Sequence, residues 1–136
     1  MGDSSPKLFE PIDVANLLAE SQKAKALFRP QSGYFRGHYQ SGALFAEGKL
    51  QHGIPDGDWT IFHENGEIWQ EISFQEAGKS GPWHVNHSSG LPWIRGQYTH
   101  NQRTGTWTYH WTSGKPMARG EFQNNERNGL WTYWDE

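Results

Sequence analysis

A fixed period of 24 residues constrains the fold of this chain more than any other feature. The glycine that opens each unit recurs at this period, at Gly57, Gly81, Gly105 and Gly129. The tryptophan two residues later recurs in step, at Trp59, Trp83, Trp107 and Trp131. A degenerate first copy precedes them, with Gly33 and Phe35 in these two positions. A sequence period in this range indicates a stacked architecture, in which each unit packs against its neighbours.

Each unit is predicted to form a β-hairpin. A strand-like run such as GTWTYHW at 105–111 is followed by an Asn-Gly or Ser-Gly dipeptide, which indicates a tight turn because both residues tolerate positive φ. Alternation puts Trp107 and Tyr109 on one side of the strand, which we expect to be packed, and Thr106 and Thr108 on the other. Successive hairpins predict a mainly β fold, an elongated single antiparallel meander sheet.

Residues 1–32 lie outside the repeat and are predicted to form a separate N-terminal segment. Apolar side chains between about residues 12 and 28 follow helical spacing, Asp13 can cap the start, and Pro30 would end the helix. We expect this α-helix to cap the sheet or to dock on a partner. The repeat domain, 33–136, is expected to contain the units 33–56, 57–80, 81–104 and 105–128 and the partial unit 129–136.

The composition excludes several classes of function. The chain has 12 Lys and Arg against 15 Asp and Glu, so nothing attracts a phosphate backbone and we predict no nucleic-acid partner. Cysteine is absent, which excludes disulfides and suits the reducing cytoplasm, where we expect this protein. No apolar run approaches the ~20 residues that a membrane span requires, and no dense Lys/Arg cluster favours a membrane surface.

Seven histidines are the main candidates for catalysis or metal binding. His84 and His87 are three residues apart, which places them on opposite faces of a strand. His63 and His87 share a repeat position, about 10 Å apart in a meander, which is too far for one metal ion without a third ligand. The paired carboxylates lie in or beside predicted turns, as Asp56 with Asp58 and Glu64 with Glu67. We therefore predict no catalytic residues, no metal and no cofactor.

The surplus aromatic side chains and a set of charges indicate a protein-binding surface. Trp69 and Trp93 share one repeat position and alternate onto the side away from the packed tryptophans, unless the helix or a bulge covers them. Charged residues occupy a second position on that side, at Glu47, Glu71, Arg95 and Arg119, and we expect that row to be solvated. Aromatic side chains beside charges are typical of binding surfaces. The predicted binding residues are Trp69, Glu71, Trp93, Arg95, Trp111, Arg119 and Trp134.

The pattern G-x-W-x-x-[FHYW]-x-x-x-G, followed by a strand and a polar turn, resembles the MORN-variant repeat over about 33–136. The resemblance implies elongated antiparallel sheets that hold other proteins, and many bacterial members resemble antitoxins or immunity proteins that neutralise a toxin. This chain departs from the usual pattern at Phe35, which replaces the tryptophan, and at Ile61-Phe62 and Val85-Asn86, where Tyr-Tyr is common. The resemblance supplies no catalytic residue.

These observations predict a non-enzymatic, protein-binding repeat scaffold, with an antitoxin or immunity role implied by the resemblance alone. One alternative is a scaffold associated with membranes or phosphoinositides, and another is an enzyme that uses His63, His87 or His110. The chain ends in the half-unit GLWTYWDE, which leaves an aromatic-rich strand edge to be covered. That edge would pair with a partner strand or with a second copy of the chain.

Overall fold

The computed structural model describes Leu8, Glu10, 32–76 and 78–136. The ten strands among these residues form one β-sheet. Its strands are β1 Gly33–His38, β2 Leu44–Gln51, β3 Ile54–Phe62, β4 Ile68–Gln75, β5 Gly78–Lys79, β6 Gly81–Asn86, β7 Pro92–Thr99, β8 Gln102–His110, β9 Pro116–Gln123 and β10 Glu126–Tyr133. The order is β1-β2-β3-β4-β6-β7-β8-β9-β10, all antiparallel, with β5 paired to β4. The predicted meander of hairpins is confirmed. The predicted helix at about 12–28 lies outside the described residues.

The turn within each hairpin is a three-residue loop that ends in glycine. In the second unit, the amide of His63 donates to Glu67 O at 2.8 Å and that of Gly66 donates to His63 O at 3.0 Å. Gly66 has a φ of +94°, whereas Asn65 keeps a negative φ and accepts a hydrogen bond from the Glu67 amide on its Oδ1. The dipeptide therefore lies in the hairpin turn as predicted, with positive φ at its glycine alone. The loop instead has the hydrogen bonds and the positive-φ glycine of a three-residue hairpin loop.

Successive hairpins are joined by tighter, two-residue turns, and the pairs of positive-φ residues occur there. Gln123 pairs with Glu126, and the two residues between them, Asn124 and Asn125, have φ values of 50° and 70°. His100 and Asn101 repeat this geometry one unit earlier. Positive φ at both central residues matches the right-handed twist of the flanking strands, so these turns keep consecutive repeats in register.

One face of the sheet carries the hydrophobic core and is called the core face; it is defined by Trp59, Trp83, Trp107 and Trp131. Its aromatic rings contact each other between and within repeats. The Trp83 and Trp107 ring centroids, from consecutive repeats, are 5.5 Å apart, and those of Trp107 and Phe122, from one repeat, are 5.2 Å apart. The positions two residues after the tryptophans, such as Ile61 and Tyr109, are buried as well. The predicted packed side is confirmed. Leu8 packs against this core from the N-terminal segment.

A third glycine also follows the 24-residue period, at Gly48, Gly96 and Gly120. It makes room for core tryptophans. A Cβ atom on Gly48, Gly96 or Gly120 would lie only 2.1–2.3 Å from the indole of the tryptophan on the following strand. Ile72 occupies this position in the second unit. The indole that follows Ile72, Trp83, donates its Nε1 hydrogen to the Gln70 side chain, whereas Trp59 donates to a backbone carbonyl. Glycine therefore allows three of the four indoles, those of Trp59, Trp107 and Trp131, to lie directly on the neighbouring strand.

Candidate functional site

The opposite face of the sheet, called the outer face, carries five of the seven predicted binding residues. The five that lie within strands share this face, because their strand neighbours Gln70, Ile94 and Ala118 are buried in the core face. These five are Trp69, Glu71, Trp93, Arg95 and Arg119. Trp111 and Trp134 directly follow β8 and β10. Trp134 is 41% exposed, and its amide donates to Met117 O at 2.9 Å.

Each of the two central tryptophans on the outer face is stacked against a histidine. The rings of His63 and Trp69 have centroids 5.0 Å apart and an interplanar angle of 19°, and those of His87 and Trp93 are 4.9 Å apart at 11°. Both indoles are half-buried. Trp69 and Trp93 lie on the predicted face. Whether these indoles are exposed or covered was left open by the sequence, and in the structure a histidine ring of the same hairpin covers one side of each.

The side chains of Tyr39, His63 and His87, which share one repeat position, also form hydrogen bonds to the next repeat. The Tyr39 hydroxyl donates to Phe62 O, and the His63 Nε2–H donates to Asn86 O at 2.9 Å. His87 repeats the contact, with its Nε2 3.1 Å from His110 O. The pairs formed by these rings with Phe45, Trp69 and Trp93 are called the aromatic stripe. Hydrogen bonds from each unit to its successor hold this stripe in place, so its shape exists before any partner binds.

Beside the aromatic stripe runs a row of directly paired residues, called the charged row. It crosses the sheet from β2 to β9 through consecutive cross-strand partners, Glu47, Thr60, Glu71, His84, Arg95, Thr108 and Arg119. The carboxylates occupy the half nearer β1 and the guanidinium groups the half nearer β10. The surrounding sequence has the same polarity, with seven acidic and three basic residues in 33–80 against four and five in 81–136. A partner would meet opposite charges at the two ends of the row.

Arg95 departs from the expected solvated row. Its guanidinium donates to Val85 O at 2.9 Å, to Ile94 O at 2.8 Å and to Asn86 Oδ1 at 2.7 Å. Burial lowers the pKa of Arg95, and the negative charge of Glu71 partly opposes that shift. The expectation for Arg95 is thus wrong, because three acceptors of its own chain hold the guanidinium. Glu71 and Arg119 are exposed, as expected.

The histidines of the outer face serve packing in this arrangement. Burial, and then the positive charge of Arg95, lower the pKa of His110, so its ring is neutral at pH 7. Within residues 32–76 and 78–136, together with Leu8 and Glu10, no three His, Cys, Asp or Glu side chains come together as a metal site would require. In the same part of the chain, no helix has the length and apolar character to cross a membrane.

A second polar cluster lies at the rim of the core face, and the sequence analysis did not find it. The Glu10 carboxylate accepts a hydrogen bond from Arg103 Nη2 at 2.6 Å and one from the Tyr109 hydroxyl at 2.7 Å. Burial and the charge of Glu10 raise the pKa of Tyr109 far above its ordinary value of 10.0. The phenol therefore stays protonated and donates to the carboxylate. Glu10 is 93 and 99 residues away from its two donors in the chain, so no local sequence motif predicts the cluster.

The raised pKa of Tyr109 predicts a loss of folding stability at alkaline pH. Its pKa is raised in the folded state, so the unfolded chain releases the proton first and the folded state is destabilised as the pH rises above about 10. Each unit of pH then costs up to about 1.4 kcal/mol of unfolding free energy. Urea titrations between pH 9 and 11.5 should show a steeper decline for the wild type than for Tyr109→Phe. If the unfolding free energies of the two proteins decline in parallel with pH, Tyr109 does not have a raised pKa in the folded state.

Comparison with known families supports the resemblance for two of the hairpins. Residues 55–76 and 103–124 match the model of the MORN repeat variant. Each match covers one hairpin, β3 with β4 or β8 with β9. The two matches begin 48 residues apart, which is two of the 24-residue periods. Searches of curated proteins and of solved structures found no match to this chain.

Proposed function

We propose that this chain is a non-catalytic scaffold that binds another protein through its outer face. The observation that carries the proposal is the placement of an aromatic stripe and a polarised charged row side by side on one face, away from the core. Aromatic and arginine side chains dominate the affinity of most protein interfaces, and complementary charge orients the encounter. The match of two hairpins to the MORN repeat variant supports a role as a repeat scaffold.

The hydrogen bonds and ring stacking that hold the aromatic stripe favour binding, because they order its side chains before a partner arrives. Association costs free energy whenever loops and side chains must be ordered, and the stacked pairs His63–Trp69 and His87–Trp93 are ordered already. The indole Nε1 atoms of Trp69 and Trp111 are buried and have no hydrogen-bond partner within the described residues. Buried polar groups without partners cost about 1–3 kcal/mol each. That cost is carried by the folded chain itself, because neither Nε1 atom reaches the surface that a partner would meet.

A toxin is the first class of partner to test. This choice rests on the resemblance of the repeat to antitoxin- and immunity-type proteins, and the absence of cysteine is consistent with action in the cytoplasm. An antitoxin that blocks its partner by contact needs no catalytic group. A rigid face with opposite charges at its two ends is suited to that task.

The first test of the proposed surface is the double variant Trp69→Ala/Trp93→Ala. Tagged wild-type chain is used to capture partners from extract of the source cell, and the captured protein is then purified. Its dissociation constant should rise about 30-fold or more for the double variant, because interface tryptophans commonly contribute 2 kcal/mol or more. Circular dichroism must show that the variant is folded, since both indoles are half-buried.

A charge variant with a matched control tests the same face without touching its packing. Arg119→Glu reverses an exposed charge in the charged row, and Lys115→Glu makes the same change of net charge in the exposed turn outside it. Arg119→Glu alone should slow association, and added salt should reduce the difference. If all variants bind like the wild type, the outer face is not the interface. Light scattering and strand-pairing variants would then test β10, which pairs only with β9 among the described strands.

A further inference from the structure

The core face holds one carboxylate in a way that resembles recognition of a bound peptide. Each oxygen of Glu10 has its own donor, Arg103 for Oε2 and Tyr109 for Oε1. Glu10 lies 93 residues from Arg103 and 99 from Tyr109 in the chain, so the contact joins a distant segment to the sheet. Hydrogen bonds that carry charge are about twice as strong as neutral ones, and two donors also fix the orientation of the carboxylate.

The two donors are held in position by the sheet. Tyr109 is buried among the core side chains, and its position is set by β8. The Arg103 guanidinium lies 5.5 Å from the Trp107 ring centroid and 5.2 Å from that of Phe122, so cation–π contacts hold it over the core. The donor pair is therefore a preformed site on a rigid element.

The segment that enters this site has a simple chemical character. Leu8 packs against the hydrophobic core two residues before Glu10 engages the donors. The segment thus has an apolar residue, which meets the apolar core, and a carboxylate two positions later, which meets the two donors Arg103 and Tyr109. The Arg103–Glu10 ion pair keeps 27% and 21% of its side-chain area exposed, so a competing carboxylate can reach it from solvent.

The donor pair recurs at one other place, which locates the site in the C-terminal part of the sheet. Arg127 and Tyr133 stand one period after Arg103 and Tyr109, and Arg127 Nη1 donates to the Tyr133 hydroxyl at 2.9 Å. Arg127 also lies 5.3 Å from the Trp131 ring centroid, as Arg103 does over Trp107. The earlier units have Lys79 with Val85 and Pro55 with Ile61 at these positions, so they lack the pair.

We propose that Arg103 and Tyr109 form a recognition site for an acidic peptide segment of a partner protein, with an apolar residue two positions before its carboxylate. Glu10 is the occupant supplied by the chain itself, and it competes with the partner segment. A tethered ligand acts at a high effective concentration, on the order of millimolar, so it weakens the binding of a free peptide. This site is on the opposite face from the proposed scaffold surface and is independent of it.

The probe is a fluorescent peptide with the sequence of residues 6–12, PKLFEPI, blocked at both ends, and binding is read by anisotropy. It is titrated against the full chain and against the full-length variant Leu8→Ala/Glu10→Gln. The variant should bind the peptide at least about ten-fold more tightly than the wild type, because the competing segment is weakened. A peptide with glutamine in place of its glutamate should lose that binding, and salt should weaken it.

Variants of the sheet complete the test. Adding Arg103→Gln to the Leu8→Ala/Glu10→Gln background should abolish peptide binding. If that variant does not fold, Tyr109→Phe replaces it in the test, because it removes the hydroxyl donor and keeps the ring. Arg36→Gln removes an exposed arginine of β1 and should change nothing. The proposal is overturned if the peptide binds neither protein, binds both equally, or binds as well without its carboxylate. Trp69→Ala/Trp93→Ala should leave peptide binding intact, so failure of one proposal is distinguishable from failure of the other.

Discussion

Replacing Trp107 with alanine is expected to lower the free energy of unfolding by about 3–5 kcal/mol, the usual range for deleting a fully buried large aromatic side chain. Trp107 has no exposed surface. Its ring contacts Trp83, Tyr98 and Phe122 from three other strands, with centroids 5.2–5.5 Å away. The substitution removes apolar contacts to the preceding repeat and to the second strand of its own repeat, and it leaves a cavity that the paired strands cannot close. Urea unfolding followed by circular dichroism measures the loss.

Trp131→Ala is the matched control for this prediction. Trp131 occupies the same repeat position, but it lies on the terminal strand β10 and is only half-buried. We expect a loss of about 1–2 kcal/mol there, because fewer neighbours surround the ring and water can fill the space. If the chain does not fold with Trp107→Ala, Trp107→Phe gives a measurable intermediate. Equal losses at Trp107 and Trp131 would show that the core is not layered from repeat to repeat.

The arrangement of strands and the identity of the packed face were predictable because both follow from local periods. The 24-residue period sets the hairpins, and the alternation of Trp107 with Thr106 and Thr108 assigns the faces. In a meander each strand pairs with its neighbours in sequence, so no long-range pairing has to be guessed. The cross-strand row from Glu47 to Arg119 was predictable for the same reason.

The exposure of individual side chains was less predictable, because it depends on contacts between elements. The sequence left open whether Trp69 is exposed or covered by the helix or a bulge, and the ring that covers it is His63, across the turn of the same hairpin. The sequence held a signal for this pair, since histidine and tryptophan both recur one period later at His87 and Trp93. No comparable signal exists for Arg95, whose acceptors are backbone carbonyls and one asparagine side chain.

The turns show a limit of dipeptide signals. Asn-Gly predicts a two-residue turn with positive φ at both positions, yet Asn65 and Gly66 close a three-residue loop. The loop length follows from the register, in which Phe62 pairs with Ile68 after an irregularity at the end of β3. A glycine at the last position of a three-residue loop supplies the positive φ that this loop requires, as one in a two-residue turn does. The dipeptide marks the turn, and the pairing of the flanking strands decides its type.

Gly96→Ala is expected to destabilise the fold by about 2–3 kcal/mol, at the upper part of the range for overpacking a core. An added Cβ would lie 2.2 Å from Trp107 Cδ2, and Trp107 has no exposed surface through which to move away. Backbone strain is not the cause, because Gly96 does not have a positive φ. Alanine would even restrict the unfolded chain, which favours folding by about 0.4–1 kcal/mol where no clash occurs. A loss of stability therefore reports the clash with the indole.

Gly120→Ala and a double-mutant cycle make that interpretation testable. The Cβ on Gly120 would lie 2.1 Å from Trp131 Cδ2, but Trp131 is half-buried on β10 and can shift outward, so we expect a loss below about 1 kcal/mol. In the background of Trp107→Leu, whose side chain is smaller and flexible, Gly96→Ala should cost much less than in the wild type. If Gly96→Ala costs the same in both backgrounds, the Trp107 indole does not dictate glycine at this position.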